Sequence, residues 1–322
     1  MSESGDYSYG PWTGHDFKDA YKSYDAHAGR SYADATSKSI KTTDCLSPEI
    51  STNCENPLLI LTDVTGSMGE WPKTIFSKLP YLELEAKEYL GKDLEIAFGA
   101  IGDANSDSYP LQMRPFDSGV ALKDRMLELI IEGGGGGQMC ETYELAALYC
   151  LHKVAMPKAI RPILILIGDE KAYSFISREQ AAEVCGITLE KGLSVNEVFR
   201  ALKQRYSVYL IRKPYRDTPG NDMSAEDRDI REQWISLLGN DHVCELPDAK
   251  RVVDVIFGIL AQETARIDYF RGELEGRQKP DQVKTVYKSL KTIHRAAPKP
   301  EELPGKSILK LEDGGRKAKK LS

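Results

Sequence analysis

Residues 57–63, PLLILTD, form an apolar run that stops abruptly at a carboxylate. The run shows no polar alternation, so as a strand it must be buried on both faces. Segments of the same texture recur at LEIAFGAIGD (94–103), RPILILIGDE (161–170) and SVYLIRKP (207–214). Between them, residues 72–90, 119–132, 140–155, 178–185 and 195–206 carry apolar side chains at helical spacing, the first with a bend expected at Pro80. Helices are also expected at 225–238 and 248–270, with HVCELP (242–247) as a last short strand. Strands alternating with helices in this way predict a doubly wound α/β fold: a mostly parallel sheet with helices on both faces. LQMRPF (111–116), which follows a polar turn, is expected as a short antiparallel edge strand.

Composition divides the chain further. Residues 1–56 are rich in Tyr, Ser, Gly, Asp and Lys and poor in Leu, Ile and Val, too little to bury a core of their own. They read as an extended arm whose Tyr and Trp side chains suit docking. Residues 57–270 read as the α/β domain, 271–296 as one C-terminal helix with a basic face, and 297–322 as a flexible basic tail ending GGRKAKKLS.

The formal charge of −6 argues against a general nucleic-acid binder. No apolar stretch reaches the length of roughly 18 residues that a membrane helix needs. MSESGDYSYG lacks the basic and apolar regions of a secretory leader. The six cysteines are scattered without a CxxC pair, as expected of reduced thiols. Together these features predict a cytoplasmic protein.

Three of the apolar strands end in hard oxygen donors. The first is followed by Asp63, Thr65 and Ser67, the second by Asp103, and the third by Asp169 and Glu170. In a parallel sheet all of them fall on one edge, where open α/β sheets bind ligands. Five glycines (133–137) lead a further loop to the same edge, ahead of Glu141 and Thr142. Carboxylates and hydroxyls without His suit Mg²⁺, Mn²⁺ or Ca²⁺ rather than Zn²⁺.

Asp63-Val-Thr65-Gly-Ser67, followed by Thr142 and then Asp169, resembles the three-loop metal-ion-dependent adhesion site of von Willebrand factor A domains. The resemblance covers roughly residues 57–265. It implies that Asp63, Thr65, Ser67, Thr142 and Asp169 hold a divalent cation; Asp103, outside the motif, is expected nearby from its own strand end, Glu170 follows Asp169, and Glu141 is the alternative to Thr142 beside the ion. Gln138, Met139, Cys140 and Glu141 separate the glycines from Thr142, where the family usually has Gly-Gly-Thr, and Glu170 stands where it often has Gly. The family uses the site to bind an acidic side chain of a partner protein, and its intracellular members often accompany AAA+ ATPases. The function implied is an intracellular adaptor, not an enzyme.

Competing readings use the same residues. A metal-assisted hydrolase would employ Asp63, Asp103 and Asp169, with no evident general acid or base nearby. The glycines lack the Gly-Lys-Ser/Thr of a phosphate loop. Ser67 is not in a G-x-S-x-G elbow. An RNA-binding A-type domain would use Lys203, Arg205, Arg212, Lys213 and Arg216 with the interleaved Tyr206, Tyr209 and Tyr215.

Overall fold

The computed structural model describes residues 46–293, apart from 70, 80–81, 120, 132–138, 217–222 and 247. Its centre is a six-stranded mixed sheet: β1 (Leu58–Asp63), β2 (Ile96–Ile101), β3 (Leu111–Met113), β4 (Ile163–Gly168), β5 (Ser207–Arg212) and β6 (Val243–Glu245). The order across the sheet is β6-β5-β4-β1-β2-β3. All neighbours are parallel except β3, which pairs antiparallel with β2 at the edge. The chain begins in the middle of the sheet, builds outward through β2 and β3, then returns to the other side of β1 for β4, β5 and β6.

Every residue of β1, β2 and β4 is buried. Alternate side chains feed two separate cores, because successive strand residues point to opposite faces. Leu58, Ile60, Ile163, Ile165 and Ile167 join α1 (Trp71–Lys78), α2 (Leu82–Leu90) and α8 (Val252–Glu263). Leu59, Leu61, Leu164 and Leu166 join α4 (Tyr143–His152), α5 (Arg178–Cys185), α6 (Val195–Arg205) and α7 (Ala225–Leu238). A slip of one residue in any strand would exchange the two sets, so this pattern pins the register. Among the helices, α5 and α6 start in reciprocal capping boxes, Ser177 with Gln180 and Ser194 with Glu197. A short α3 (Ala121–Leu127) follows β3.

Several expectations change in detail. The expected helix over 72–90 is two helices, α1 and α2, and the bend at Pro80 falls outside the described residues. Of the expected arm, residues 46–56 lie on the domain: Ile50–Ser51 pair in parallel with Val154–Ala155, and Ile50 and Cys54 are buried. Residues 1–45, with the arm's Tyr and Trp side chains, lie outside the described residues, as do the glycines 133–137 and the basic tail 297–322. No described helix is long and apolar enough to cross a membrane.

The closing helix expected over 248–270 stops at Glu263, and a separate α9 (Ile267–Arg277) follows. The stop is a Schellman arrangement: Arg266 N–H donates to Ala261 O at 2.9 Å and Ala265 N–H to Gln262 O at 3.4 Å. Its left-handed position is filled by Ala265, φ 56°, where glycine is usual. The single helix expected over 271–296 is instead the end of α9 followed by α10 (Pro280–Ser289), which starts at a proline. Phe270, Leu274, Val286, Leu290 and Ile293 enter the first core, so these helices pack onto the domain. Replacing Ala265 with Gly removes the Cβ penalty of the left-handed conformation. We expect Ala265→Gly to stabilise the fold by about 1 kcal/mol, read as a rise in the urea midpoint without a change in slope.

Candidate functional site

The carboxyl ends of β1 and β4, which are neighbours in the sheet, set the site. β1 ends on Asp63, and Gly168, the last residue of β4, precedes Asp169. Beyond Asp63 the chain enters a single 3-10 turn, Gly66–Met68. Asp63 itself shapes that entry: its Oδ1 accepts from Thr65 N at 2.9 Å and from Thr65 Oγ1 at 2.6 Å. Thr65 Oγ1 lies 3.3 Å from Ser67 Oγ, and Ser67 Oγ donates to Asp169 Oδ1 at 2.9 Å. Four of the predicted ligands therefore form one continuous chain of oxygens between two strand ends. Asp63, Thr65 and Asp169 are buried, while Ser67 is half-buried beside the exposed Gly66.

The second loop reaches the same place through its neighbours. Thr142 is fully buried, and its Oγ1 accepts from Ala104 N at 2.7 Å, which turns it toward the Asp103 turn. Tyr143, the next residue, donates its hydroxyl to Asp63 Oδ2 at 2.7 Å. This contact needs Gly168, because a Cβ there would sit 1.7 Å from the Tyr143 hydroxyl. Cys140–Glu141 pair in parallel with Lys171–Ala172, bringing Glu141 alongside Glu170. Asp103 closes its own turn by accepting from Asn105 N and Ser106 Oγ, each at 2.9 Å, and also accepts from Tyr173 Oη at 2.9 Å. Tyr143 carried no sequence signal, because its role depends on packing through Gly168.

Negative charge is crowded here. Burial, and then the Asp169 carboxylate, raise Asp63 to about 7 despite the hydrogen bonds from Thr65 and Tyr143. Burial with Asp63, Glu170 and Asp103 nearby holds Glu141 far above the carboxylate range. Glu170 is raised by burial, Asp169 and Asp63. Glu141 Oε2 and Glu170 Oε2 are buried without a hydrogen-bond partner. Burial also raises Asp169, opposed first by the ammonium of Lys213.

In the basic stretch 203–216, Arg205, Arg212 and Lys213 are engaged within the domain, while Lys203 and Arg216 are exposed. Arg212 is buried and pairs with Asp227 at 2.6 Å and Glu245 at 2.6 Å. Arg205 donates to the carbonyls of Leu151 and Val154. Tyr206 and Tyr209 are buried, so they offer no stacking surface. Lys213 N extends the β5–β4 pairing by donating to Gly168 O at 2.9 Å, and Lys213 Nζ reaches Asp169 Oδ2 at 2.8 Å. Lys213 is thus a fifth participant that sequence reading placed only in a charged flank. The single signal for it is its position directly after an apolar strand.

A hard divalent cation fits the chemistry of these groups. The donors are all oxygens, the carboxyls are raised by burial and, for Asp63, Glu141 and Glu170, by neighbouring carboxylates, and two carboxylate oxygens lack partners. Among the described residues no three His, Cys, Asp or Glu side chains form a ready-made cage, so an ion here would depend on the hydroxyls as well.

No family model and no curated protein matches this chain. Among solved structures, two of the pilus adhesin SpaC from Lactobacillus rhamnosus GG align with it. The one in an open conformation is 10% identical, with 70% of this chain covered, 31% of the adhesin covered and a TM-score of 0.46. The other is 11% identical, with 70% and 32% covered and a TM-score of 0.43. The chain spans about a third of the length of these adhesin chains.

Two outcomes test this geometry. Gly168→Ala should drive Tyr143 off Asp63 and cost about 1–3 kcal/mol as an overpacked site, whereas Tyr143→Phe should cost only about 1 kcal/mol; urea denaturation separates them. Asp227 anchors the loop after β5 by accepting from Tyr215 N and Arg216 N as well as from Arg212. Burial alone would raise Asp227, but Arg212 and these N–H groups outweigh it and hold it low. A depressed carboxylate stabilises the fold above its unfolded value of about 3.9 and loses that contribution as pH falls through the folded value. Asp227→Asn should therefore cost about 3 kcal/mol at pH 7, with the gap to wild type narrowing as the pH is taken below about 3.9.

Proposed function

We propose that this chain is a doubly wound domain of the von Willebrand factor A type whose strand-end oxygens bind a divalent cation and, through it, an acidic side chain of a partner protein. The observation that best supports this reading is the chain of contacts Asp63–Thr65–Ser67–Asp169, which joins two loops at adjacent strand ends. Asp63, Thr65, Ser67 and Asp169 would hold Mg²⁺, or Mn²⁺ or Ca²⁺, with Thr142 joining by resemblance. The bound ion would supply a positive point at which a carboxylate of the partner replaces water.

The residues of the chain divide that work. Asp63 and Asp169 provide the negative charge that draws a cation to the edge. Thr65 and Ser67 provide neutral oxygens, which leave the ion positive enough to attract an external carboxylate. Tyr143 fixes the orientation of Asp63 by donating to its second oxygen. Trp234 Nε1 donates to Glu170 O at 2.8 Å and steadies the backbone that follows Asp169. Exposure at Gly66 and Ser67 puts the approach on the first loop.

Binding is favoured over hydrolysis by the placement of the imidazoles. His152 and His242 are the two histidines among the described residues. His152 ends α4, and His242 pairs with Val208 O near the start of β5, away from the carboxyl ends of the strands. Neither imidazole of the described residues is therefore placed beside the cluster to act as a general base.

Calorimetric titration with Mg²⁺, Mn²⁺ and Ca²⁺ tests the reading, with wild type beside Asp63→Asn and Asp63→Ala. Wild type should bind at least one of these ions and melt at a higher temperature when it is present. Asp63→Asn keeps an amide able to serve Thr65 and Tyr143, so it should stay folded and lose the binding. No heat from any of the three ions with wild type, or undiminished binding in both variants, overturns the reading.

A further inference from the structure

We propose that Lys213 is a built-in counter-cation of the Asp63–Asp169 edge, which holds the edge together in the absence of metal and weakens its affinity for divalent ions. The inference rests on the cation site proposed above and deepens it by naming a residue that sets its selectivity threshold.

Lys213 Nζ is a donor with three hydrogens, and the structure gives it three oxygen acceptors. It donates to Asp169 Oδ2 at 2.8 Å, to Ser67 O at 3.0 Å and to Pro214 O at 3.2 Å. The side chain is only 14% exposed, and the Trp71 ring lies 6.0 Å from the ammonium. Its acceptors come from the first loop, the third loop and its own, so one ammonium joins three strand ends. A solvated surface lysine would have no such set.

The same contacts place a positive charge on a carboxylate that the cation site needs. Asp169 Oδ1 accepts from Ser67 Oγ while Oδ2 accepts from Lys213, so both oxygens are engaged. A divalent ion drawn to Asp169 meets a fixed ammonium a few ångströms away, in a partly desolvated pocket where like charges repel more strongly than in water. Because the backbone of Lys213 is locked into the sheet through Gly168 O, the ammonium has limited freedom to retreat. Lys213 therefore screens the crowded carboxyls of the cation-free protein and raises the concentration of divalent ion needed to fill the edge.

Lys213→Met retains much of the aliphatic stem and removes the charge, and Lys213→Arg keeps the charge. Mn²⁺ titration by calorimetry and thermal melting in EDTA should be run on wild type and both variants. Lys213→Met should bind Mn²⁺ about tenfold more tightly than wild type. It should also melt at a lower temperature in EDTA, with saturating Mn²⁺ closing the gap. Lys213→Arg should stay near wild type in Mn²⁺ affinity. Equal or weaker binding by Lys213→Met, with wild type binding normally, overturns this proposal and leaves the cation site standing. Absence of binding to all three proteins overturns the cation site and this proposal with it.

Discussion

Four carboxyl groups, those of Asp63, Asp169, Glu141 and Glu170, converge on one buried edge of the sheet, and the surrounding structure is arranged around that density of negative charge. A buried carboxylate is tolerated only when hydrogen bonds or opposite charges replace its lost water. Thr65 and Tyr143 serve Asp63, while Ser67 and Lys213 serve Asp169. Glu141 and Glu170, each with a buried oxygen that has no hydrogen-bond partner, are held by burial above the ordinary carboxylate range. Each device draws a loop toward the same point, so the loop conformations follow from the electrostatics as much as from the turn residues.

The sheet makes this convergence geometrically cheap. Residues 63, 103, 169 and 213 are far apart in the chain, yet each follows the end of one of four neighbouring strands. Parallel strands point their carboxyl ends the same way, so no long loop is needed to bring the groups together. The two-core pattern of β1, β4 and β5 locks the register, and that register sets Lys213 against Gly168. The Arg212–Asp227 pair, one residue earlier, holds the following loop from below. A buried ion pair of this sort is weak evidence of net stability but strong evidence of specified geometry at the loop it anchors.

The sheet was the most legible part of the chain, because PLLILTD and RPILILIGDE admit few alternatives to buried parallel strands. The positions of Asp63, Asp103 and Asp169 at the strand ends follow from those runs directly. What escaped sequence reading has physical reasons. The helix stop at 264–266 uses Ala265 in a left-handed conformation, so no glycine announced it. Tyr143 reaches Asp63 only because Gly168 has no side chain, a condition visible in three dimensions and not in spacing. Lys213 read as part of a charged flank because nothing in the sequence distinguishes an inward from an outward lysine at a strand end. Thr142 was placed at this edge by resemblance alone, and its hydroxyl is engaged by Ala104 N in this structure.

The arrangement makes little sense as a purely structural feature. A turn after β1 could be closed by Asn at 63, its oxygen accepting from Thr65 and its NH₂ donating to the Tyr143 hydroxyl, with no charge to bury. Ser67 could likewise bond a neutral partner at 169. Carboxyls in both places repel each other, and burial raises both above their ordinary range. Among the described residues the Lys213 ammonium hydrogen-bonds to one of these four carboxyls, and two of their oxygens have no partner. An edge so short of positive charge is suited to receive a cation, and under the proposed reading the lysine that partly answers the shortage would set how strongly the edge draws an ion.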